Sequence, residues 1–369
     1  MDLPAADAQA TDAAASAPEP SAVPRRRPPL AVDLTLLGIV GVLLIAAVWA
    51  GVAAMGREFY SASAFVERYL SLLADGRASE ALAVPGVAVA STELEAAGLP
   101  PYASDALLRR DAMAALTDIS VVSEVAREGS TAVTVSYRAG TYDGTTTFDV
   151  VQAGSIGLAP TWRFGTSPLA VMDLAVKGSM TFEVNGFEID KRQVSPDGVD
   201  ADPLAPVALL LFSPGIYSVS VDTPISATPG VAVISDSPFT EVPVEVQAQP
   251  TEEFVSVVQE RMNEFLLGCA TQEVLQPTGC PFGFFVQDRI VSAPTWSIAQ
   301  QPVVTLTPDG AGWAIPPTEA VAHIEVDIRS IFDGSVRRVN EDVPFIVTGT
   351  ITIGPDGSAT ITVSGPDTR

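Results

Sequence analysis

One stretch dominates the pattern of apolar and polar positions. Residues 34–55, LTLLGIVGVLLIAAVWAGVAAM, run for 22 positions without a charge. At about 1.5 Å per residue they make a helix of ~33 Å, enough to cross a hydrocarbon core of ~30 Å. The run is apolar on all sides, whereas a helix packed on a soluble core keeps a polar face. It predicts one transmembrane helix.

Beyond it, helical and strand periods alternate. Phe65, Tyr69, Leu72 and Leu73 recur at helical spacing, and a second helix is expected over residues 104–116 with Ser104 as its N-cap. Strands are expected over 119–125, 131–138 (Val133, Val135 and Tyr137 on one side), 145–152 and 161–164, with a turn at Tyr142–Asp143–Gly144. From residue 166 helical signals vanish. Residues 181–184 and 187–189 flank Asn185–Gly186, a strong hairpin signal, and Tyr217, Val219 and Val221 alternate after Pro214–Gly215. Prolines at 224, 229, 238 and 243 then predict irregular edges.

Near residue 249 the first plan returns. Pro250–Thr251–Glu252–Glu253 starts a helix with acidic residues at its positive end, and Phe254, Val257, Val258, Met262 and Phe265 form its apolar stripe. Strands follow around 295–306, 320–331 and 345–353, and a last hairpin turns at Pro355–Asp356–Gly357 into 358–363. VSYRAGTYDGTTTFDV and VDIRSIFDGSVRRVNEDVPFIV share a strand, an aromatic–Asp–Gly turn and a return strand, which predicts an internal duplication. The expected layout is α+β: a disordered cytoplasmic tail (1–33), the transmembrane helix (34–55), an α+β domain (59–165), a small all-β module (166–248) and a second α+β domain (249–369).

Charge sets the orientation. Arg25, Arg26 and Arg27 precede the apolar run, while Arg57 and Glu58 cancel after it, so the N-terminus is expected inside and the large C-terminal region outside. A cleaved signal peptide is the competing reading, with Val52, Ala53 and Ala54 as the small residues. Its apolar core would be unusually long, and it would begin unusually late. The tail, rich in Ala, Pro and Ser, cannot bury enough surface to offset its ordering entropy. Its run Pro24–Arg25–Arg26–Arg27–Pro28–Pro29 reads as a topology signal or as a ligand for a proline-recognising module. Lys and Arg total 20 against 44 Asp and Glu, a net charge of −24. Such a surface repels phosphate backbones and anionic head groups, so nucleic-acid binding is disfavoured and the outer region is expected to stand off the membrane.

SASAFVERYLSLLADGRASEAL followed by strands resembles the NTF2-like α+β cone fold. TFEVNGFEI and LLFSPGIYSVSV are similar to PEGA-like or TcaA-like β modules that read NG … PG-x-Y. The whole layout resembles actinobacterial single-pass envelope proteins. That resemblance implies two NTF2-like domains flanking the β module, and implies fold more than activity.

Candidate chemistry is sparse. Cys269 and Cys280, the only cysteines, stand eleven apart across a Pro- and Gly-containing loop and read as a disulfide on the outer side of a membrane. A metal pair would need further ligands, and a redox pair would favour Cys-x-x-Cys. His323 is the sole histidine. It shares one face of a strand with Glu325 and Asp327, either as a site for a divalent ion or as an ordinary solvated face. NTF2-like enzymes place an Asp or His inside the cone, but the first α+β region has no histidine, and Asp118, Asp143 and Asp149 fall at turns or on polar phases. No nucleophile elbow, P-loop or His-Glu-x-x-His accompanies them. No enzymatic activity and no cofactor are expected. The expected role is to bind or scaffold a partner protein or cell-wall component in the envelope; the alternative is a small-ligand sensor or carrier using an NTF2-like cavity.

Overall fold

A 30-residue helix, α1 (Leu30–Phe59), opens the described chain. The computed structural model describes residues 30–157, 159–354 and 358–364, with side chains from Leu34 onward except residues 50 and 52–59. The tail, the side chains of the alternative cleavage site and the turn at 355–357 lie outside the described residues. Side chains across residues 34–49 are exposed except the half-buried Gly41. That described stretch is about 24 Å of helix. No helix among the described residues is long and apolar enough to cross a membrane. The chain divides into two compact units, Met1–Arg57 and Glu58–Arg369. It is mixed α+β and strand-rich.

The second unit begins with α2 (Ala62–Ala74), which the Ser61 hydroxyl caps by accepting from the Ala64 amide at 3.1 Å. Phe65, Val66, Tyr69, Leu70 and Leu73 form its buried face. Leu72 is only half-buried. Two short helices, α3 (Ala78–Leu82) and α4 (Ser91–Ala96), precede an antiparallel meander of β1 (Leu116–Ala126), β2 (Thr131–Ala139), β3 (Tyr142–Ile156) and β4 (Ala159–Phe164).

Two expectations fail in this part. Residues 104–116 form no α-helix, only a 3-10 turn at Arg110–Ala112. The segment is taken up by its neighbours instead. The Ser104 amide donates to Ala208 O, its carbonyl accepts from the Leu210 amide, and Arg109 stacks 4.7 Å from the Phe187 ring. Leu107 and Ala112 are buried without a helical period. The turn expected at Tyr142–Asp143–Gly144 sits earlier, at Gly140–Thr141, so Ala139 pairs with Tyr142. Gly140 takes φ 60°, the left-handed conformation that glycine enters without strain. Gly144 lies within β3, where an added Cβ would come within 2.5 Å of the Tyr137 hydroxyl.

Next comes β5 (Leu169–Lys177), then β6 (Thr181–Val184) and β7 (Phe187–Asp190). Asn185 and Gly186 turn that hairpin with φ of 52° and 81°, the positive pair that matches strand twist. A single helical turn, α5 (Lys191–Val194), follows where no helix was expected. Then come β8 (Val207–Phe212), β9 (Gly215–Ser220), β10 (Ser226–Ala227), β11 (Val231–Ser235), β12 (Glu241–Gln247) and β13 (Gln249–Pro250). Sheet β12-β5-β8 faces sheet β11-β9-β6-β7 across a core that includes Met172, Leu174, Phe182, Leu209, Tyr217 and Val219. β12 runs parallel to β5.

The last part starts at α6 (Glu252–Ala270), capped by Thr251, whose hydroxyl accepts from the Phe254 amide at 3.2 Å. Its buried stripe is Phe254, Val258, Met262, Leu266 and Cys269. Val257 is 48% exposed and Phe265 only partly buried, because the stripe advances mainly by four residues and turns them away from the sheet. Short strands β14 (Arg289–Ile290), β15 (Thr295–Gln300) and β16 (Thr307–Asp309) pair with β17 (Gly312–Arg329), which pairs with β18 (Val336–Ile353) and through it with β19 (Ala359–Ser364). Here Phe332–Asp333–Gly334 does form the turn region, unlike Tyr142–Asp143–Gly144. A helix before an antiparallel sheet recurs, but the shared tripeptide has different places in the two parts.

Candidate functional site

Aromatic rings pack between helix and sheet. Phe65, Tyr69 and Phe148 all meet the ring of Phe164, at 5.0, 5.1 and 5.7 Å, largely edge to face. The Tyr69 hydroxyl donates to Ser213 O at 3.3 Å, and burial pushes its titration well above the ordinary phenol value. It stays neutral and is bound to backbone. Under α6, Phe254 packs against Trp313, and Phe282 lies 5.0 Å from Trp296 and 5.1 Å from Phe345.

An open concavity of about 610 Å3 lies elsewhere, where the β6–β7 hairpin faces the beginning of β17 and the end of β18. Met180, Phe182, Ile225 and Ile353 supply apolar surface, and Glu183, Glu188, Asp222 and Arg192 supply charge. Asp190 holds the Arg192 guanidinium at 2.6 Å, and this contact lowers the Asp190 carboxyl. One wall is the loop through Ala201 and Pro203, which Lys191 secures. Fully buried, its ammonium donates to Val176 O at 2.6 Å, to Pro203 O and to Ala205 O. Burial lowers its titration to about 8, and the charge of Asp202 opposes that shift. The sequence offered one hint of this arrangement: Lys191 is one of only two lysines in the chain.

His323 and Glu325 do share the outer face of β17, as alternation requires. The His323 Nδ1 lies 2.7 Å from Asp342 on β18, while its Nε2 is 3.9 Å from Glu325. Glu325 is engaged instead by Arg338 and by the Asn340 amide at 3.3 Å. Asp327 stands opposite Arg338 in the ladder. The cross-strand partners Asp342 and Arg338 were missed because nothing in either strand alone sets the register between them. Among the described residues no group of three or more His, Cys, Asp or Glu is arranged to hold a metal ion. Asp118 and Asp143 bracket Arg138 at 2.9 and 2.7 Å, a charge-balanced cluster on the surface of the first sheet.

Cys269 at the end of α6 is joined to Cys280 with S–S 2.06 Å, which pins the following loop to the helix. The chain matches no family model, no curated protein and no solved structure.

Proposed function

We propose that this protein is a non-catalytic envelope protein anchored in a membrane by α1, whose outer part binds or scaffolds a partner protein or cell-wall component along the groove beside β6 and β7. One contrast carries the reading: aromatic rings pack the helix–sheet cores, while a groove lined by apolar and charged side chains stays open. A small-ligand carrier would keep a chamber where Tyr69, Phe148 and Phe164 meet. That makes the carrier the weaker reading.

Anchoring is supported by the length of α1, about 45 Å for 30 residues, and by the apolar side chains exposed along residues 34–49. Left in water, such surface forfeits roughly 25 cal/mol per Å2. The three arginines before it favour an inside N-terminus. The resemblance to NTF2-like domains flanking a PEGA-like or TcaA-like module fits the same reading, with bounds near 59–165, 166–248 and 249–369.

A photo-crosslinking side chain in place of Val199, on the groove wall, tests the binding reading in intact cells. The expected result is an adduct to one protein or glycan that Ala311→Trp, which fills the groove, abolishes. An adduct unchanged by Ala311→Trp would reject the groove. Protease added to protoplasts is expected to digest residues 57–369, and protection of that region would reject the orientation.

A further inference from the structure

The hairpin between β17 and β18 ends in a tip unlike the rest of this acidic chain. Phe332 is 98% exposed and its neighbour Ile331 70% exposed, and Val336 and Ile290 extend apolar surface nearby. Scattered exposed apolar side chains are ordinary. A phenylalanine in contact with almost nothing, beside an exposed isoleucine at a turn, is not explained by packing.

The charge around it is also unusual. Register sets Arg329 opposite Val336, Arg337 opposite Ile328, and Arg289 of β14 opposite Arg329. All three are exposed, and among the described residues no ion pair engages them. Asp327 stands opposite Arg338, and two further carboxylates lie close. Asp288 accepts from the Ile331 amide at 3.5 Å, and Asp333 accepts from the Ser335 amide and hydroxyl at 3.1 and 2.8 Å. Three unpaired guanidinium groups against these two leave the tip cationic on a chain of net charge −24.

The backbone of the turn is satisfied internally. The amides of Phe332 and Asp333 donate to the Ser330 hydroxyl at 3.2 and 3.4 Å, and that of Gly334 donates to Ser330 O at 3.1 Å. With the Ile331 and Ser335 amides already engaged, five successive N–H groups have acceptors within the protein. That is the condition for entering a medium without water, where a bare amide finds no partner.

We propose that this tip docks on an anionic lipid surface, with Phe332 and Ile331 entering the boundary of the acyl chains and Arg289, Arg329 and Arg337 meeting lipid phosphates. Guanidinium groups suit phosphate oxygens because their planar donors can bind two at once. A convex tip with two protruding side chains offers far less than the roughly 800 Å2 per partner of a stable protein interface. A bilayer asks only for depth and charge, with no complementary shape. The acidic remainder of the chain is repelled by the same lipids, so contact is confined to the tip.

The test uses the full-length chain held in nanodiscs of neutral phosphatidylcholine and mixed with floating vesicles. Wild type should float with phosphatidylglycerol-containing vesicles, and roughly tenfold less with phosphatidylcholine vesicles, given the charge dependence of such contacts. Phe332→Ser with Ile331→Ser, and separately Arg329→Gln with Arg337→Gln, should each lose the excess, with unchanged melting because these side chains lie in water. Wild type that floats equally with both vesicles overturns the proposal, as does either double variant floating like wild type. Self-association of the full chain that the same variants abolish, without vesicle binding, would assign the tip to a second acidic copy and also overturn it.

Discussion

The ammonium of Lys191 donates to the carbonyl oxygen of Val176 at 2.6 Å, from a site closed to solvent. The same group reaches the Pro203 carbonyl, so one side chain ties β5 to the loop that walls the groove. Lys191→Met would remove the donor that these carbonyls share, at a cost of about 2–4 kcal/mol. Urea unfolding at neutral pH measures it. In the folded chain the group releases its proton at about 8, against 10.5 for an ordinary lysine. Between those values the unfolded chain binds more protons, so this group's contribution to stability grows as pH rises. The stability gap between wild type and Lys191→Met is therefore expected to widen from pH 8 to 10, by up to about 3 kcal/mol. A gap that narrows would mean that the carbonyl dipoles outweigh burial.

Asn185 does two jobs at the hairpin turn. It takes φ 52°, and its side chain donates to Ala112 O and Ile216 O while accepting from the Ser218 amide at 2.8 Å. Asn185→Ala loses both and should cost about 2–3 kcal/mol. Asn185→Gly keeps the turn and loses only the bonds, so thermal unfolding should rank it between wild type and alanine. Equal melting of glycine and wild type would show that the three bonds contribute nothing.

The Cys269–Cys280 bridge closes a short loop after α6. Cys269→Ser is expected to cost roughly 2–3 kcal/mol through the added freedom of the unfolded chain. Chemical denaturation checks the magnitude. Alkylation under denaturing, non-reducing conditions should find no thiol in wild type.

His323 is half-buried and bound to Asp342, and among the described residues no group arranged to hold a metal ion includes it. His323→Ala should therefore shift stability by no more than about 1 kcal/mol and leave any cellular phenotype of the protein unchanged. Loss of that phenotype in a variant that accumulates and melts normally would move an ion or acid–base site on His323, Glu325 and Asp327 to first place.

Where a signal was local, the amino-acid sequence alone determined the outcome. Asn185–Gly186 turns the hairpin because two adjacent residues tolerate positive φ, and Thr251 starts α6 because its own hydroxyl reaches an amide three residues on. Strand alternation put His323 and Glu325 on one face for the same reason. Tertiary structure decided whatever depended on distant partners. Residues 104–116 had apolar positions compatible with a helix, yet Ser104 is bound to Ala208 and Leu210 across about a hundred residues of chain. The turn sits at Gly140–Thr141, which sets Gly144 opposite Tyr137 in the ladder. The burial of Lys191 likewise depends on the carbonyls of Val176, Pro203 and Ala205, which come to it from other segments of the fold. The groove and the cationic tip arise the same way, since each joins residues from separate strands whose register only the assembled sheets establish. A period of 2 or 3.6 reports which face a side chain takes on its own element; what stands opposite that face is fixed by pairing across the fold.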